Sequence, residues 1–141
     1  MDLTAFYDII EKSIIELGVN PVDCRGENPG QWNLKKGDTT VWVDLWYIEK
    51  EDRPYFQTMA PIFAVPSEPE MKNKVLEELL TINDSLFGVA FSIFNDFIYL
   101  KVVREASGMD SNEAIAMILR IGNYAELHRK ELSEKYGMTL S

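Results

Sequence analysis

The chain has 141 residues, 46% hydrophobic and 26% charged, which suits one globular domain spanning 1–141 and excludes a disordered polymer. Against 14 basic residues stand 23 acidic ones, a net charge of −9, so phosphate backbones and anionic membranes repel the chain and neither nucleic acid nor membrane is an expected partner. Cys24 is the only cysteine, which excludes an intrachain disulfide and fits a reducing, cytoplasmic compartment. The N-terminus carries acids where a secretory signal carries Lys or Arg, and no apolar run approaches the roughly 18 residues of a membrane span.

Leu3, Phe6/Tyr7, Ile10, Ile14 and Leu17 recur at three- and four-residue spacing and predict a first helix, with Asp2 as a cap and Gly18 as the stop. "VNPVDCRGENPG" has two Asn-Pro pairs and two glycines and reads as irregular loop. "QWNL" and "TVWVDLWYIE" flank the turn "KKGD", which predicts a β-hairpin over residues 31–48. In its longer strand Val41, Val43, Leu45 and Tyr47 take one face, and Trp42, Asp44, Trp46 and Ile48 the other. "YFQTMAPIFAV" returns as a third strand, whose Pro61 predicts a sheet edge or a bulge.

A second helix opens at "SEPE", where Ser67 and Glu70 have capping-box spacing and Pro69 sits in the first turn. Val75, Leu76, Leu79 and Leu80 continue it to an end near Asn83–Asp84. "FGVAFSIF" and "FIYLKVV" are two further strands joined by the tight turn "ND". The last helix starts at Asp110 with Glu113, buries Ile115, Ile118, Leu119, Gly122, Ala125 and Leu132, and ends at Gly137. The order α-β-β-β-α-β-β-α means α+β with a mostly antiparallel sheet.

Helix-end "LLxxN", a short turn, "FGxAFS", a two-residue turn, an apolar strand and a long amphipathic helix together resemble the YbjN family of bacterial sensory transduction regulators, which shares the fold of the type III secretion chaperones. The residues carrying the resemblance are Leu79, Leu80, Asn83, Phe87, Gly88, Ala90, Phe91 and Ser92, with Ile98–Val102 as the second strand. The resemblance implies a non-enzymatic two-layer sandwich, often dimeric, that engages other proteins. It carries over no catalytic residue and no cofactor. The Trp-rich second strand and the Pro61 strand depart from it.

The polar residues read mostly as structure. Asn83–Asp84 and Asn95–Asp96 punctuate a helix end and a hairpin. His128, the only histidine, lies among charged residues and reads as solvated; a dyad with Cys24 lacks any spacing that pairs them. One Cys and one His cannot supply a usual zinc set, and Asp110 with Asn112 lacks the glycine and closing glutamate of a calcium loop. No phosphate-cradling glycine loop and no nucleophile elbow is present.

The tryptophans stand apart. Trp42 and Trp46 share a face with Asp44, a charge that is costly to seal into a core unpaired. The last strand repeats the pattern, with Ile98, Leu100 and Val102 on one face and Phe97, Tyr99, Lys101 and Val103 on the other. The aliphatic faces are expected to meet the helices. Trp42, Asp44, Trp46, Phe97, Tyr99 and Lys101 then form an open face for a protein partner in a homodimeric binding module, with strand addition at a sheet edge as a further mode. The alternative is a small-molecule sensory domain with Trp32, Trp42 and Tyr99 walling a pocket between sheet and helices. An enzyme ranks last, because no nucleophile is paired with a base.

Overall fold

A computed structural model describes residues 1–138. Its elements are α1 (Thr4–Glu16), α2 (Pro21–Cys24), β1 (Gln31–Lys36), β2 (Thr39–Ile48), β3 (Arg53–Ala64), α3 (Pro69–Asn83), β4 (Ala90–Phe94), β5 (Phe97–Glu105) and α4 (Ser111–Tyr136). The strands form one five-stranded antiparallel sheet in the order β1-β2-β3-β5-β4, and α4 crosses one face of it. The fold is therefore α+β in the predicted element order, with the short helix α2 added. Among the described residues no helix is long and apolar enough to cross a membrane.

The core lies between sheet and helices, where strand periodicity meets helix periodicity. Val41, Val43 and Leu45 of β2, Phe56 and Ala60 of β3, and Ile98 and Leu100 of β5 point to one side. Met117, Ile118, Ile121 and Ala125 of α4 close over them, and Ile10 and Ile14 of α1 join the same cluster. Two polar ties fix the helices. Ser13 Oγ of α1 donates to Ser111 O at 3.2 Å, and Thr58 Oγ1 of β3 donates to Met117 O at 3.4 Å.

Several local expectations change. The segment after Gly18 is not all loop: Asn20 accepts from Val22 N–H and starts α2, with Pro21 at the first position. The cap of α3 is Glu68, not Ser67, because its carboxylate takes both Glu70 N–H and Met71 N–H. Pro61 lies on β3 in the sheet interior, and the register shifts between Pro61 and Phe63, so the proline marks a bulge and not an edge. Leu80 and Leu119 are exposed at 71% and 45%, since the buried stripes of α3 and α4 run through Val75 and Leu79 and through Met117, Ile118 and Ile121. Ile115 is half-buried beside that stripe.

Candidate functional site: the uncovered sheet face

Among the described residues no helix packs on the second face of the sheet. On β2 it presents Trp42, Asp44 and Trp46, and on β5 it presents Phe97, Tyr99 and Lys101, all partly exposed. β3 runs between them and adds Tyr55, Gln57 and Met59, each directly opposite a β2 residue: Trp46↔Tyr55, Asp44↔Gln57, Trp42↔Met59. The same alternation that buries Phe56, Thr58 and Ala60 turns these three outward.

The six residues marked in the sequence thus share one face, in two groups. Trp42 leans across β3, and its ring lies 5.9 Å from that of Tyr99. Tyr99 in turn sits 5.4 Å from Phe97, and Phe97 faces Phe94 of β4, which is 65% exposed. An aromatic band therefore crosses the sheet. Asp44 and Trp46 form the second group, beside the loop Gly26–Gly30. Lys101 occupies the row of Trp42 and Met59, two strands from β2, and makes no ion pair among the described residues.

Asp44 is the polar centre of the face. Its carboxyl is pushed above the ordinary aspartate range by burial, against the opposing effect of hydrogen bonds from Gln57 and Gln31. Two depressions meet on it. One of ≈ 280 Å³ is lined by Gly26, Gln31, Asn33, Trp42 and Asp44, and one of ≈ 350 Å³ runs from Asn28 and Pro29 past Asp44 to Trp46 and Gln57. The loop wall is held by Leu45 N–H donating to Gly30 O at 2.8 Å and Gly26 N–H donating to Gln31 O at 2.7 Å.

Trp32 does not belong to this face. It pairs with Val43, so it points to the helix side, where it is buried, donates from Nε1 to Glu11 at 2.9 Å and meets the Tyr7 ring edge-on at 5.9 Å. Trp32, Trp42 and Tyr99 therefore cannot wall one pocket between sheet and helices. A separate groove of ≈ 460 Å³ lies between α1 and residues 25–32, bordered by Tyr7, Glu11, Arg25 and Trp32. Glu11 there accepts from Arg25 Nε and Nη2, each at 2.7 Å, which keeps its carboxyl below the usual range.

His128 is buried, not solvated. It follows Ala125 and precedes Leu132 on the core stripe of α4, packs edge-on against Phe91 at 5.6 Å and stacks with Tyr124 at 6.2 Å. Burial lowers its pKa, and Glu131, 3.9 Å from Nδ1, opposes that shift. Cys24 is buried beside β1, whereas His128 lies against β4 at the other edge of the sheet, so no dyad forms. Asn83 does more than end a helix: its side chain accepts from Phe91 N–H at 2.7 Å and donates to Phe91 O at 3.4 Å, which docks α3 on β4. Among the described residues no three His, Cys, Asp or Glu side chains gather as a metal set.

No protein-family model and no curated protein matches the sequence. The structure is similar to a chain of the ExsC–ExsE complex, with TM-score 0.66 at 16% identity, covering 92% of this chain and 96% of that one. It is similar to a chain of the HopA1–SchA chaperone–effector complex, with TM-score 0.64 at 9% identity over 92% and 98% of the two chains. YbjN from E. coli aligns over 95% of both chains with TM-score 0.55 and 16% identity. This chain therefore has the fold common to YbjN and the type III secretion chaperones.

Proposed function

We propose that the protein is a non-enzymatic binding module, chaperone-like or regulatory, that works as a homodimer and holds a partner polypeptide on the face of Trp42, Asp44, Trp46, Phe97, Tyr99 and Lys101. The observation that carries this reading is the uncovered aromatic face itself. Partly exposed tryptophan and tyrosine are the residues enriched at interface centres, and among the described residues the helical core packing lies on the other side. The similar solved structures include complexes of chaperones with effectors, which supports a protein as the occupant. The second copy would dock at the β4 edge of the sheet, where Leu80, Phe87, Ile93 and Phe94 are exposed.

The test is an affinity pull-down from the host with the tagged wild type and a Trp42→Glu, Trp46→Glu double variant, after circular dichroism confirms that the variant folds. A partner held by the wild type and lost by the folded variant supports the reading. Equal capture by both, or capture by neither, counts against it. The ligand-binding alternative moves to the groove between α1 and residues 25–32, whose volume suits a small molecule. A saturable rise in Tm with a small molecule, abolished by Tyr7→Ala, favours that alternative.

A further inference from the structure

Asp44 is a partly buried carboxylate on β2. It sits mid-strand on an open face, with Trp42 and Trp46 two residues away on either side. At about 3.3 Å per residue, each indole is rooted roughly 6.6 Å along the strand from it. Its neighbours across the sheet are Gln31 on β1 and Gln57 on β3, both uncharged. None of the ion pairs among the described residues includes it. An ionised carboxylate accepts about four hydrogen bonds, and what Gln57 and Gln31 return to Asp44 is less than its burial takes away. Trp42 leans towards Tyr99, and the ground above Asp44 is where two depressions meet, one lined by Trp42 and the other by Trp46.

We infer that this ground is a socket for one arginine side chain of the bound polypeptide, with the guanidinium on the Asp44 carboxylate and flanked by the indoles of Trp42 and Trp46. The inference rests on the reading of this face as the partner surface and names what that surface selects. A guanidinium is flat, carries five donors in a fixed fork and stacks on aromatic rings, so it meets a carboxylate and two indoles at once. Cation–π attraction acts within about 6 Å of a ring centroid, and each of the two depressions that meet on Asp44 has one of the indoles in its wall. The glutamine amide oxygens offer further acceptors. The net charge of −9 favours a basic segment over an acidic one.

The socket is tested with the peptide acetyl-Gly-Arg-Gly-amide, titrated into ¹⁵N-labelled protein and followed by the three indole N–H signals. The expected result is saturable movement of the Trp42 and Trp46 signals. The Trp32 signal, buried on the opposite side and bonded to Glu11, stays still. The citrulline peptide, which has the same shape without the charge, binds at least about tenfold more weakly, and Asp44→Asn weakens the arginine peptide by a similar factor. Movement that is absent, equal with citrulline or unchanged in Asp44→Asn overturns the socket, and equal affinity for the lysine peptide overturns the guanidinium assignment. In the pull-down, a partner lost by the double tryptophan variant but kept by Asp44→Asn sinks the socket and leaves the face standing. A partner kept by both variants sinks the face, and the peptide titration then judges the socket alone.

Discussion

Asp44 carries a cost in stability that its neighbours do not relieve. Burial raises its pKa in the folded state above the ordinary value of 3.8. Between those two values the folded chain binds more protons than the unfolded one, so stability falls as pH rises through the folded pKa. His128 acts in the opposite sense: its folded pKa lies below 6.5, so its contribution is lost as pH falls through that value. Subtracting the wild-type curve from that of Asp44→Asn cancels His128 and isolates Asp44. The difference in Tm is expected to favour the variant more at pH 7 than at pH 4. A difference that does not change with pH would show that the carboxylate is already compensated. A charge retained at a cost to folding is what a binding residue on this face would look like.

Among the elements, the loop before β1 shapes the site most directly, and Gly30 decides its course. Gly30 has φ +83°, and a Cβ there would lie 2.5 Å from Leu45 O and 3.2 Å from the Tyr7 ring. Gly30→Ala is expected to destabilise the protein by roughly 1–3 kcal/mol, read by urea denaturation, because the Cβ would overlap the Leu45 carbonyl and alanine is strained at that φ. A cost below about 0.5 kcal/mol would mean that the loop shifts freely and is no fixed wall. Much of this architecture could be read from residue order. Alternation in β2 and β5 separated Val41, Val43 and Leu45 from Trp42, Asp44 and Trp46, and Asn95–Asp96 does form the hairpin turn, with φ of 50° and 60°. Other parts depend on tertiary contacts. Trp32 and Trp42 are equally aromatic, and only pairing in register sends them to opposite faces. His128 looked solvated among charged neighbours, yet its spacing from Ala125 and Leu132 was the available sign of burial. Gln31 and Gln57 joined the site only when three strands were aligned side by side.

At the level of the whole molecule, one helical layer on a five-stranded sheet leaves, among the described residues, one face without a helix and two edges. In the proposed function, the open face goes to the partner and the β4 edge to a second copy. Light scattering after gel filtration is expected to give twice the chain mass of 16.2 kDa. Leu80→Asp with Phe87→Asp should return the monomer without unfolding it, since both side chains are more than 70% exposed. A wild type that runs as a monomer at micromolar concentration would remove the dimer from the reading. One tie in the helical layer bears on all of this. Consecutive residues of α4 reach opposite margins of the sheet: His128 packs on Phe91 of β4, and Arg129 Nη1 donates to Asp38 O at 3.2 Å and Thr39 Oγ1 at 3.0 Å at the β1–β2 turn. Contacts at both margins oppose rolling of the helix about its own axis and hold the sheet beneath it from either side. Ordering entropy on association then falls almost entirely on the incoming chain, so stiffening that chain, and not this one, is where affinity would be gained.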